Sequence, residues 1–192
     1  MELVDLLRKL NQLKDMPRVG WVLAGINKES VEDVAQHSFE VAIISLLLGK
    51  KMAEKGIQID EGKLLGISIL HDFSEAVVGD LPYPALPYLP ERGTKEQMER
   101  NAIRELLSEF PGLVDLWEEY AKGESTEAKL VRASDYISML LQALRYLERG
   151  HRSEELQELW EAVMADLRPF QQEFPEVREL VEKLQARHSC LR

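Results

Sequence analysis

Two residues of unlike chemistry adjoin at His71-Asp72, directly after the apolar run Ile67–Leu70. A carboxylate in a segment patterned for burial needs compensation, because an unpaired buried charge is costly. A salt bridge, a helix cap or a metal ion would each supply it. Glu75 follows three residues after Asp72 and four after His71, which on a helix is the same side. His37 lies three residues after Val34 and four before Val41, on the apolar face of its own segment. A lone histidine in such a place is commonly a core residue with its ring nitrogens satisfied. Asp135 sits inside the apolar stretch Leu130–Ile137, where Arg132 at i−3 offers a local ion pair. Jointly, His37, His71, Asp72 and Asp135 supply two imidazoles and two carboxylates. That donor set suits one divalent metal such as Mn, Fe, Co, Ni or Zn.

Helices must position these groups, because apolar residues recur at helical spacing along most of the chain. Glu2–Lys14 places Leu3, Leu6, Leu7, Leu10 and Leu13 on one face. Asp33–Lys55 reads as a long helix carrying His37. Glu61–Val78 reads as another, with Gly79 as its stop. Thr94–Phe110 is amphipathic with Thr94 at the N-cap, and Pro111–Lys122 is short. Ser125–Arg149 is apolar on most sides, which marks a helix enclosed by others. Ser153–Asp166 and Glu176–Arg187 close the chain, either packed on the core or offered as an interface. Nothing alternates convincingly with period two, so the fold class is all-α. Two stretches resist the pattern. Pro17–Glu32 contains Pro17, Gly20 and Gly25, and Leu81–Gly93 contains Pro82, Pro84, Pro87 and Pro90. Proline lacks an N–H and fixes φ, so the second stretch is expected as an ordered loop, either a surface connection or a functional lid.

The 192 residues fit one domain, 1–192, large enough to bury a core without disulfides. Lys+Arg 24 against Asp+Glu 34 gives a net charge of −10, which argues against nucleic acid or an anionic membrane as partner. The longest apolar run, Val41–Leu48, is far short of the roughly 20 residues a membrane span needs. The acidic start lacks the basic region of a signal peptide, and Cys190 stands alone, so a cytoplasmic protein is expected.

At this point the sequence resembles a known family. His…His-Asp…Asp on helices is the ligand order of the HD-domain metal-dependent phosphohydrolases. Pro17-Arg18-Val19-Gly20-Trp21-Val22 is similar to that family's Pro-Arg-x-Gly-Trp-Val entry segment. Glu32-Asp33-Val34-Ala35-Gln36-His37-Ser38 resembles its Glu-Ser-Val-Ala-Asp-His-Ser helix start, with Gln36 in place of an acidic residue. His71-Asp72-Phe73-Ser74-Glu75, followed by Gly79-Asp80-Leu81-Pro82, resembles the block that marks the 5′-deoxynucleotidase branch. Leu113–Ala143 is similar to a further segment of that branch, ending on its metal-binding aspartate.

The resemblance implies an HD-domain helical bundle with a mononuclear metal site. His37, His71, Asp72 and Asp135 would hold one divalent ion, with Mg added to the metals above. Glu75 would orient or deprotonate the attacking water and help protonate the leaving group. Asp80 would contact the sugar hydroxyl, Arg18 the phosphate, and Trp21 would pack near the sugar or base. The implied activity is release of phosphate from (deoxy)nucleoside 5′-monophosphates, by a homodimer. Other nucleotides, such as nucleoside triphosphates or guanosine tetraphosphate, remain alternatives, as does a non-catalytic nucleotide sensor. No histidine lies between Asp72 and Asp135, and His151 and His188 read as surface residues, which favours one metal over two.

Overall fold

The computed structural model describes residues 2–91 and 93–191. Among them there is no strand, only one isolated antiparallel bridge between Pro17 and Asp33. The all-α expectation holds.

Two long helices form the centre: α3 (Val34–Glu54) and α8 (Thr126–Glu148) pack along each other. α3 buries Val34, His37, Val41, Ile44, Leu48 and Met52, a stripe at spacings of three and four. α8 buries residues all round, because α3, α4 (Glu61–Leu70), α7 (Pro111–Lys122), α9 (Glu154–Asp166) and α11 (Pro175–Leu191) all lie against it. Side-chain caps start the principal helices. Asp33 accepts from the Gln36 amide, Asp60 from Lys63, Ser125 from Ala128 and Ser153 from Leu156. Each cap contributes about 1 kcal/mol. Gly49 lets α4 approach α3, since a Cβ there would lie 2.7 Å from Leu64 Cδ2.

Several expectations need correction. The segment 61–78 is not one helix. α4 ends at Leu70, a turn occupies 71–74, and the four-residue α5 (Glu75–Val78) ends on Gly79, whose φ of 79° suits glycine. Pro17–Glu32 contains the short helix α2 (Val19–Leu23). The proline-rich stretch is half helical, with a 3-10 helix over Tyr83–Tyr88. Pro84 and Pro87 stand three residues apart, the period of a 3-10 turn. The N-cap of α6 (Thr94–Leu106) is Gly93, and the Thr94 hydroxyl instead donates to the Glu91 carbonyl. In α1 (Leu3–Asn11) only Leu6 is buried, while Leu3 and Leu7 are exposed.

The C-terminal helices pack on the core. α10 (Arg168–Glu173) turns the chain, and α11 buries Val177, Val181 and Leu184. His188 is therefore not a surface residue: it is buried, its ring stacked 4.0 Å from that of Trp160. His151 is half-buried and meets Tyr146 edge-on.

Candidate metal centre and its cavity

The sequence-predicted ligands come from three places in the fold. His37 lies one turn into α3, His71 and Asp72 in the turn after α4, and Asp135 midway along α8. His37 Nε2 lies 3.0 Å from Asp135 Oδ1 and 3.7 Å from Asp72 Oδ2, and His71 Nε2 lies 3.2 Å from Asp72 Oδ2. His37, His71 and Asp72 place ligand atoms all within 4.8 Å of one another. The alternative local pairing fails for Asp135. Arg132 turns away to donate to the carbonyls of Tyr120 and Ala121, at 3.0 and 2.7 Å.

Both imidazoles are oriented from behind. His71 Nδ1 donates to the Ser68 carbonyl at 2.7 Å, so in the neutral ring Nε2 carries the lone pair. His37 Nδ1 meets Ser138 Oγ at 3.3 Å. The two Nε2 atoms and Asp135 Oδ1 are buried without a hydrogen-bond partner, the close approach of His37 to Asp135 lacking hydrogen-bond alignment. Buried polar atoms are ordinarily satisfied. Several orphans converging on one point are what a divalent cation would satisfy, so the residues fit the metal that the donor set suggests.

Glu75, Arg18 and Asp80 complete the arrangement despite the break in the helix. Arg18 Nη1 lies 3.2 Å from Asp72 Oδ2, 3.5 Å from Glu75 Oε1 and 3.4 Å from Asp80 Oδ1. Burial opposes the charge on Arg18, but these carboxylates outweigh it and hold its pKa above the ordinary value. Burial also resists ionisation of Asp72, yet His71, Arg18 and His37 hold its carboxyl well below the usual range. Glu75 goes the other way. Burial pushes it well above the usual range, helped by Asp72 and Asp80 and opposed by Arg18. Burial disfavours charge on His71, but Asp72, Asp135 and the Ser68 carbonyl raise it to about 8.

These groups face a cavity of about 510 Å³. Trp21 lines it but is otherwise buried, its indole N–H donating to Glu32 Oε1 at 2.7 Å, which leaves only the ring for contact with a ligand. Gln36 is exposed and does not line the cavity. Leu81, Pro82, Leu86 and Leu89 of the proline-rich segment form one apolar wall, and Tyr136, Met139 and Leu159 another. Sequence reasoning missed Lys95 and Glu99, an i,i+4 pair on α6 that also lines the cavity. It also missed Glu40 and Ser138, each three residues past a predicted ligand and so on its face of the helix.

The family model described as HD domain matches residues 10–178. The chain belongs to the HD-domain family. Among curated HD-domain relatives, human 5′-deoxynucleotidase HDDC2 is 30% identical over 97% of this chain and 86% of its own. The Dictyostelium discoideum 5′-deoxynucleotidase HDDC2 is 33% identical over 79% of this chain and 80% of its own. A solved structure, a conserved hypothetical protein from Pyrococcus furiosus, superposes with a TM-score of 0.82 at 36% identity, covering 95% of this chain and 99% of that one.

Proposed function

We propose that the chain is a metal-dependent 5′-deoxynucleotidase, releasing phosphate from (deoxy)nucleoside 5′-monophosphates. The observation that carries this reading is the convergence of buried His37 and His71 and half-buried Asp72 and Asp135 on one point, beside Glu75, Arg18 and Asp80. Its relatives named 5′-deoxynucleotidase support the substrate class.

His37, His71, Asp72 and Asp135 would hold the divalent ion, with Mn, Co, Fe, Ni, Zn and Mg as candidates. Bound there, the ion supplies Lewis-acid stabilisation of phosphoryl charge and lowers the pKa of water. The remaining chemistry belongs to the chain. Arg18 neutralises a phosphate and is held in place by three carboxylates at 3.2–3.5 Å. Glu75, with its raised pKa and an unpartnered Oε2 in the buried site, is poised to exchange a proton with water or the departing alcohol. Asp80 presents an oxygen for a sugar hydroxyl, and the apolar walls accept a base.

The charge of the cavity favours monophosphates. Besides Arg132, which is engaged with backbone carbonyls, and His71, which the metal would claim, only Arg18 and Lys95 among the described lining residues are cationic, and both already face carboxylates. Beyond the metal and Arg18, the further charges of a triphosphate would meet Asp80, Glu91, Glu96 and Glu99 with little to balance them. No described helix is long and apolar enough to cross a membrane. A cytoplasmic homodimer of single-domain chains belongs to the same proposal. The exposed Phe39, Ile43 and Leu47, one turn apart on α3, are the face we assign to the second copy.

The test is phosphate release from a panel of ribo- and deoxyribonucleoside mono-, di- and triphosphates, after chelation and with each metal restored. Metal-dependent turnover of 5′-monophosphates is expected. Turnover of triphosphates alone, or silence with metal bound, would overturn the assignment.

A further inference from the structure

We infer that Ser138 and Glu40 form a relay that aims His37 at the metal position and thereby sets the affinity of the site. The inference rests on the metal reading above and concerns two residues outside the ligand set. Ser138 lies on α8, three residues past Asp135, and is fully buried. Glu40 lies on α3, three residues past His37, and is half-buried.

The direction of each hydrogen bond follows from counting protons. Ser138 Oγ donates to Glu40 Oε2 at 2.7 Å. A carboxylate only accepts, so the single hydroxyl proton is committed to Glu40. The Oγ lone pairs are then what face His37 Nδ1 at 3.3 Å. Nδ1 therefore carries the ring proton, and Nε2, on the side of Asp72 and Asp135, keeps its lone pair. Removing the hydroxyl would leave the ring free to rotate or to place its proton on Nε2, where it blocks coordination.

The negative charge of Glu40 acts through the hydroxyl. A carboxylate at the far end of a histidine's hydrogen-bond chain raises the basicity of the ligating nitrogen, and loss of such partners typically weakens metal binding about 10–100-fold. His71 is served differently, by the neutral Ser68 carbonyl at 2.7 Å. The two imidazoles are thus oriented unequally, and the one on α3 depends on side chains that substitution can remove. Glu40 also ties α3 to α8 at the level of the ligands, so the distance between His37 and Asp135 depends on the same bond.

The experiment measures metal alone, without turnover. Chelator-stripped wild type, Ser138→Ala, Ser138→Thr, Glu40→Gln and Glu40→Ala are titrated with Co²⁺, followed by visible absorption, and with Mn²⁺ by calorimetry. Thermal melts are recorded with and without metal. Ser138→Ala should weaken both metals about 10–100-fold, and Ser138→Thr should recover most of the loss because it keeps the hydroxyl. Glu40→Ala should lie near Ser138→Ala, and Glu40→Gln between it and wild type, since the amide oxygen still accepts the proton. The rise in melting temperature on adding metal should shrink in the same order. A merely structural role would lower both melts equally and leave the affinities alone. If Ser138→Ala does not fold, the half-buried Glu40 variants carry the test. Wild-type affinity in folded Glu40→Ala overturns the relay while leaving the metal reading intact. Absence of metal binding by the wild type overturns both.

Discussion

Asp80 holds Arg18 from both sides of its carboxylate. One oxygen lies 3.4 Å from the Arg18 guanidinium, and the other accepts the backbone amide of Val19, sixty-one residues away in sequence. The residue assigned to the sugar also positions the residue assigned to the phosphate. Asp80→Ala should therefore raise KM and lower kcat together, with kcat/KM down by about 10²-fold or more, as expected when a positioning contact is lost. Asp80→Asn keeps an acceptor for Val19 and should lose less. Steady-state kinetics on deoxynucleoside 5′-monophosphates would show it. A change in KM alone would mean that Asp80 reads the sugar without placing Arg18.

Asp72 and Glu75 are three residues apart, and the proposed function gives them different tasks. Asp72 offers an oxygen to the same point as both histidines, while Glu75 faces Arg18 from the next turn. Asp72→Ala should abolish metal binding and activity. Glu75→Gln should keep the metal and lose about 10²–10⁴ in kcat, the usual contribution of a general acid or base. Metal content by elemental analysis beside kcat separates the two. Equal metal loss in both variants would refute the division.

The metal-free protein should lose stability between pH 6.5 and 8. Asp72 and Asp135 raise His71 to about 8 against the opposing effect of burial. A raised pKa means that the folded state binds the proton more tightly than the unfolded chain. The stabilisation is complete below the unfolded value of about 6.5 and is lost as pH rises through the folded one. The shift corresponds to about 2 kcal/mol, or roughly 4–8 °C in melting temperature for a domain of this size. Metal and proton compete for the same Nε2, so Mn²⁺ affinity should climb up to about tenfold per pH unit over that window. A melt series with and without Mn²⁺ checks both, and a flat metal-free profile would contradict the assignment.

The long helices were legible because their information is local. Periodicity located α3 and α8, and the caps at Asp33 and Ser125 stand in the sequence itself. The break at residues 71–74 was not legible, because apolar Ala76, Val77 and Val78 continue the pattern across it. The grouping of His71, Asp72 and Glu75 on one side survived the break, since a turn and a short helix return Glu75 to the same wall. His188 was misread because its partner is non-local: Trp160 lies on another helix, and a polar tail gives no sign of a stacked ring. The alternative offered for Arg132 failed for the opposite reason. Its i+3 neighbour Asp135 was a plausible local partner, but the guanidinium found two carbonyls at the end of another helix.

That last contact separates two roles for Arg132. Its guanidinium satisfies the Tyr120 and Ala121 carbonyls in the final turn of α7 and lies 5.3 Å from the centre of the Tyr120 ring. It acts as a C-terminal cap delivered from a neighbouring helix, where positive charge also suits the helix dipole. Hydrogen bonds to charged groups contribute about 1.5–3 kcal/mol each, so Arg132→Ala should lower stability by about 2 kcal/mol or more. The melting temperature should fall by roughly 4–8 °C. Because Asp135 does not depend on this charge for pairing, Mn²⁺ affinity should stay within about twofold of wild type. Lysine cannot reproduce the planar fork, so Arg132→Lys should recover only part of the stability. A large loss of metal affinity in Arg132→Ala, with little change in melting, would instead make Arg132 the electrostatic partner of Asp135 and remove it from the cap of α7.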